Sequence, residues 1–232
     1  MMELIESESG QKVQIPRLKP SAAEKRLGIR YSVDGSWNAE FKFWKTYSEE
    51  FADKVSKAKL DRLGGYHAYN TLWSSKFRYS APAITFTPAQ LLTIQRKIIG
   101  PSLAAAGFNS KMPRVVVFGP SSHGGMNWYA PYFIQLYEQI KLVIGSIRLE
   151  DTVGRLLVLQ LQWLQVTAGT SIPLLASQKN IPYLPQCWLQ SLHTKMVDTK
   201  LQILLEKQWV PHICRENDKV IMDYVQHHLP PN

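Results

Sequence analysis

From Trp37 to Leu60 the apolar residues Phe41, Trp44, Tyr47 or Ser48, Phe51, Val55 and Ala58 recur at three- and four-residue spacing. That is the period of a helix, so the segment predicts one long amphipathic helix whose apolar stripe must be covered by neighbours. Its other face carries Lys42, Lys45, Glu49, Lys54 and Lys57. A second helix is expected from about Arg62 to Tyr79, running through the Gly64–Gly65 pair. The third has a marked start, with Thr87 in the N-cap position and Pro88 at the first helical position. It runs through Leu91, Leu92, Ile94, Ile98 and Ile99 toward Gly107, and Pro101 is expected to bend or break it.

Strand signals are confined to the first residues and a few later runs. Lys12–Leu18 alternates and stops at Pro20. Arg26–Val33 is a second strand candidate ending in the turn pair Asp34–Gly35. The two are expected to pair with each other, and are too little to stand alone as a sheet. Residues 113–127 predict a short apolar strand or extended run followed by a Gly-rich loop. Ala130–Leu149 and Asp151–Ala168 predict two apolar helices, the second capped by Asp151 or Thr152. Residues 169–187, with Pro173, Pro182 and Pro185, read as a connector. A helix is expected around Trp188–Met196, a strand pair within Thr199–Trp209 and a last helix at Glu216–His227. The expected class is mainly α with a small N-terminal β-hairpin.

The charge is distributed unevenly. The 232 residues carry a net charge of +9, yet no acidic side chain occurs between Asp61 and Glu138. That interval holds Arg62, Lys76, Arg78, Arg96, Lys97, Lys111 and Arg114, together with many aromatics. A stretch free of carboxylates can lie against a polyanion without local repulsion, and cannot supply carboxylates for metal or acid–base chemistry. Cys187 and Cys214 make no disulfide framework, which favours free thiols in a reducing, intracellular compartment, nucleus and cytoplasm being indistinguishable. No apolar segment is long enough for a signal peptide or a membrane span, and the most apolar run, 153–166, is interrupted by Arg155, Gln160, Gln162 and Gln165.

Catalytic constellations are sparse. Two-metal phosphoryl transfer needs clustered carboxylates, and no two of the seven aspartates are adjacent. The segment Gly119–Gly125 lacks the Lys-Ser/Thr ending of a nucleotide-binding loop, so it reads as a structural turn whose backbone N–H groups could touch a phosphate. Cys187, His193, His212 and Cys214 have the spacing of no closed zinc module. Ser122 beside His123 has no nucleophile elbow around it. His227–His228 reads as solvated. Phe41, Trp44, Phe51, Trp73 and Phe77 read as core rather than as base-stacking platforms. No catalytic residue, metal ligand or cofactor is expected.

Five blocks, in order from about residue 10 to 225, resemble the region that follows the palm in retroelement reverse transcriptases of the non-LTR type. Arg26–Ser36 (RLGIRYSVDGS) resembles the "LGV…pdG" strand and turn. Lys76–Pro82 (KFRYSAP) resembles "kleYplp", and Gly107–Gly125 (GFNSKMPRVVVFGPSSHGG) resembles "GfnR..pr.vvyGP...GGlg". Ile140–Gly154 (IKLVIGSIRLEDTVG) resembles the "i..ll.hlR..d..g" helix pair, and Pro211–Met222 (PHICRENDKVIM) resembles "p.reND..iM". The chain departs from the family's GGLG in reading Gly124-Gly125-Met126-Asn127, so the second glycine site is lost.

The resemblance implies fingers, palm and paired metal-binding aspartates upstream. Only 25 residues precede the first block, so a truncated reading frame without catalytic activity is expected. It also implies an organisation: palm-like terminal strands at 1–35, a thumb-like helical bundle at 36–110, a strand, Gly-rich loop and apolar helix pair at 111–170, and a connector and tail at 171–232. A thumb grips the phosphates of an RNA or DNA template–primer duplex. Its candidate contacts here are Lys42, Lys45, Arg62, Lys76, Arg78, Arg96, Lys97, Lys111 and Arg114. The alternative expectation is a protein–protein module. The apolar helices of 130–168 would then dock on the missing palm or on another chain, with no membrane partner.

Overall fold

The computed structural model describes residues 2–5, 12–15, 19–206, 208–210 and 217–228. The fold is mainly helical and opens with antiparallel strands. β1 (Met2–Ile5) pairs with β2 (Lys12–Ile15), and β3 (Ala23–Arg26) pairs with β4 (Ile29–Ser32). The expected pairing of Lys12–Leu18 with Arg26–Val33 is therefore not the one formed. Each strand pairs with a neighbour nearer in sequence, which requires closing a shorter loop. The Arg26–Val33 run is itself cut by a two-residue turn. Leu27 (φ +47°) and Gly28 (φ +87°) both take the positive φ of the turn type that matches strand twist. Tyr79 pins this turn by donating its hydroxyl to the Leu27 carbonyl at 2.6 Å.

The expected long helix is α1 (Asn38–Lys57), which buries Trp44, Ser48, Ala52 and Val55. α2 (Arg62–His67), a π turn (Ala68–Trp73) and α3 (Ser74–Ser80) follow as one helical run. Asp61 caps it, its side chain accepting the Gly64 N–H at 2.7 Å. Gly65 lets this run approach the next helix closely: a Cβ there would lie 2.8 Å from the Ala106 N and Cα. α4 (Pro88–Ala105) begins with the Thr87 cap, reciprocated by Gln90 in a capping box, and continues through Pro101. α1 lies along α4.

The centre of this first cluster is aromatic. Trp128, Tyr69, Trp73 and Phe77 form a column of stacked rings with centroid spacings of 5.0, 5.4 and 5.5 Å. Trp44 meets Phe77 edge-on at 5.0 Å. Such ring pairs add to the burial term of the side chains themselves. Trp44, Trp73 and Phe77 are fully buried and Phe41 and Phe51 pack against them, as the core reading requires.

Residues 113–127 do not form the expected strand. Arg114–Phe118 is a one-turn helix, α5, and the Gly-rich loop folds back over it. The Met126 and Trp128 N–H groups donate to the Val116 and Val117 carbonyls at 2.8 and 3.0 Å. A lone strand would leave its edge groups unpaired, whereas this knot satisfies them locally and delivers Trp128 to the column.

The two expected helices are α6 (Pro131–Leu149) and α7 (Thr152–Ala168), which pack on each other, with Asp151 as the cap of α7. Buried Gln135 and Gln139 on α6 both donate to the Ile84 carbonyl, at 2.6 and 2.8 Å. Gln165 on α7 donates to the Thr170 and Ile172 carbonyls and accepts the Leu174 N–H, so it shapes the connector. α8 (Trp188–Asp198) and α9 (Ile221–His228) follow.

In place of the strand pair within Thr199–Trp209, the described residues form a turn at 199–200 and an irregular segment held by the Ile203 N–H donating to the Leu175 carbonyl. A second apolar cluster gathers residues of α6, α7, α8 and the connector, and Tyr132 packs against both clusters. Trp188 crosses between them, donating its indole N–H to the Pro82 carbonyl at 2.8 Å. Among the described residues no helix is long and apolar enough to cross a membrane.

Candidate nucleic-acid interface

Two cations, Arg30 and Lys76, lie over one pair of rings on α1, and Lys25 and Lys54 act on Lys76 electrostatically. Lys25 on β3 and Arg30 on β4 are direct cross-strand partners. Like charges placed so disfavour a hairpin. Lys76 on α3 and Lys54 on α1 join them. The Lys76 ammonium is pushed below the ordinary lysine range by burial first, then by Arg30, Lys25 and Lys54, with Glu50 opposing. The floor of the cluster is the stacked pair Phe43–Tyr47, one helical turn apart on α1, with centroids at 5.8 Å. The Arg30 guanidinium lies 3.8 Å over Phe43 and the Lys76 ammonium 3.6 Å over Tyr47. The rings hold the cations by their quadrupoles without neutralising them.

Glu40 anchors the arrangement from below. It is 1% exposed, accepts the Arg30 backbone N–H at 2.8 Å and the Trp44 indole N–H at 2.9 Å, and lies 3.5 Å from the Arg30 guanidinium. It fixes the hairpin against α1 and leaves the outer charges of Lys25, Lys54 and Lys76 unpaired with any described carboxylate.

Of the nine cations expected from sequence, only Lys76 belongs to this cluster. At about 100° per residue, Lys42 and Lys45 lie on the opposite flank of the buried stripe of α1 from Phe43, Tyr47 and Lys54. On that flank Lys97 of α4 is paired with Glu49 at 2.8 Å, and this bond holds the Glu49 carboxyl below its usual range. Arg78 lies over Tyr129 at 4.6 Å and faces Glu138 at 3.8 Å. Arg114 turns inward to the Ser110 and Met112 carbonyls, and Arg62 covers Phe108 at 4.8 Å. Arg96 and Lys111 are exposed. The acid-free interval is thus free of acids along the chain but not in space, because Glu49 and Glu138 reach into it from α1 and α6.

Lys25, Arg30 and Lys54 were missed. The signal for Lys54 was its register, seven residues after Tyr47 and off the Lys42–Lys45 flank. The signal for the hairpin pair was the turn at Leu27–Gly28, which sets Lys25 opposite Arg30.

The Gly-rich loop offers little to a phosphate. The N–H groups of His123, Gly124 and Gly125 are already bonded to the Pro120 and Ser121 carbonyls. Cys187 caps α8, its sulfur accepting the Gln190 N–H at 3.4 Å. His193 is buried, with its pKa pushed down by desolvation. His212 and Cys214 lie outside the described residues, and among those described no three His, Cys, Asp or Glu side chains gather as a metal site. Comparison of the chain with protein-family models, with curated proteins and with solved structures finds no match.

Proposed function

We propose that the chain is a non-catalytic, thumb-like segment of retroelement reverse-transcriptase type that holds the backbone of an RNA–DNA or DNA duplex. The observation that supports this reading most is that Arg30 and Lys76 lie over one stacked ring pair, with Lys25 across the hairpin from Arg30 and Lys54 adding to the positive field on Lys76. Such crowding disfavours the free protein and is relieved by any row of phosphates laid across it. Every contact is to backbone, so the grip is blind to sequence. Lys42, Lys45, Arg96 and Lys111 remain exposed, Lys42 and Lys45 on the other flank of α1 from this centre.

Four phosphate contacts predict that log K for a hybrid duplex falls against log salt with a slope of about −3 to −4. Fluorescence anisotropy across a salt series measures it. Binding that is absent at low salt, or insensitive to salt, contradicts the proposal.

A second reading is favoured by one face of α7. Val153, Leu156, Leu159, Trp163 and Val166 recur at helical spacing and are 45–61% exposed. A continuous apolar stripe of this kind suits a protein partner, either the palm the resemblance implies or another chain. Light scattering distinguishes the two outcomes for the isolated chain: a defined oligomer that Trp163→Lys disperses supports this reading, and a strict monomer at high concentration opposes self-association.

A further inference from the structure

A cleft of about 570 Å³ lies between the start of α4, the start of α8 and the turn at Asp34–Trp37. Two helix N-termini open onto it, that of the 18-residue α4 at Thr87–Pro88 and that of the 11-residue α8 at Cys187–Trp188. Thr87 and Cys187 already accept the Gln90 and Gln190 N–H groups and Pro88 has none, so the partial positive charge of the two ends is carried by the remaining first-turn N–H groups, those of Ala89 on α4 and of Trp188 and Leu189 on α8. Those ends alone would not make a site. Lys195 is the second and independent element. It lines the same cleft, is 3% exposed, and reaches the cleft from the last turn of α8.

The Lys195 ammonium donates to Gln139 Oε1 and Ser191 Oγ, both at 3.3 Å. Gln139 is itself locked by its bond to the Ile84 carbonyl. No described carboxylate forms an ion pair with Lys195, so among the described residues its charge and its third N–H have no partner. A buried, unpaired ammonium is costly, and here burial alone lowers its pKa to about 8. Two acids also line the cleft: Asp34, whose side chain is engaged by the Ser36 N–H at 2.9 Å, and Asp198 at the end of α8.

We propose that this cleft binds a small molecule through a carboxylate or phosphate group, with Lys195 as the charge partner and the two helix starts as further donors. The volume is that of a small-molecule site, so the anionic group is only part of the ligand. Thr85, Gln190 and Thr194 supply neutral polar groups along the wall, and Trp37 an apolar one. This site is separate from the cation cluster on the flank of α1 and does not depend on nucleic-acid binding.

The test uses the full chain labelled with 15N, titrated with inorganic phosphate and, separately, with acetate. At least one anion is expected to give saturable amide shifts centred on residues 87–90 and 188–191. Lys195→Met, which keeps the stem and removes the charge, is expected to weaken that anion about tenfold or more, and Lys195→Arg to retain part of the binding. The wild-type chain supplies a measurement independent of any variant: saturation with the effective anion should raise the pKa of the Lys195 ammonium, read from its side-chain 13C shift. The proposal is overturned if neither anion saturates, if the shifts gather only around Lys25, Arg30 and Lys76, if Lys195→Met binds as the wild type does, or if the Lys195 titration is unmoved.

Discussion

Glu40 occupies the first turn of α1, where an acidic residue normally favours the helix dipole and faces solvent. Here it is buried because Arg30, ten residues earlier, brings both its N–H and its guanidinium to the same carboxylate. Its role could not be read from periodicity, since the partner lies on another element. Lys195 is the converse case, a cation buried without a carboxylate. Its folded-state pKa of about 8 lies below the ordinary lysine value of 10.5. Between those values the unfolded chain binds more protons than the folded one, so the destabilisation is largest below pH 8 and is relieved as pH rises. Stability is expected to rise by about 2 kcal/mol from pH 8 to 10 on this account, and Lys195→Met should remove that rise. Urea unfolding of both proteins across the window checks it. The window stops at pH 10 because the buried Tyr69 hydroxyl, whose pKa is raised, opposes further gain above it.

At the scale of elements, helices with local signals were legible and elements defined by distant partners were not. Thr87, Pro88 and Gln90 mark the start of α4 within four residues, and Asp151 marks α7. Both signals act inside one turn of chain. Val115–Val117 favours a strand by side-chain type, but no second strand lies alongside, and tertiary packing around Trp128 sets a helical turn instead. The π turn at Ala68–Trp73, which carries two rings of the aromatic column, has no local mark either. Gly65 exists for its neighbour across the helix pair rather than for its own helix. Gly65→Ala would press a methyl group into the Ala106 backbone and force α2 from α4. A loss of about 2 kcal/mol is expected in chemical unfolding, and unchanged stability would mean that the two helices are not held at that distance.

At the scale of the whole molecule, two apolar clusters share α6, and the cation cluster lies on the flank of the first. Composition announced a positive protein, but nine separate lysines and arginines could not be assigned to faces without knowing which acids fold back onto them. Glu49 and Glu138 take two, backbone carbonyls take one, and the hairpin adds two that the linear pattern left out. The proposed binding surface is therefore smaller and more concentrated than the acid-free interval suggests.

The direct test compares the two flanks of α1 in one experiment, the salt dependence of hybrid-duplex affinity for Lys54→Gln/Lys76→Gln and for Lys42→Gln/Lys45→Gln. The first pair is expected to flatten the slope by about 2 and to weaken binding uniformly across duplex sequences, while the second changes it less. Equal slopes for the first pair and the wild type would contradict the assignment of the duplex grip to the cluster of Lys25, Arg30, Lys54 and Lys76.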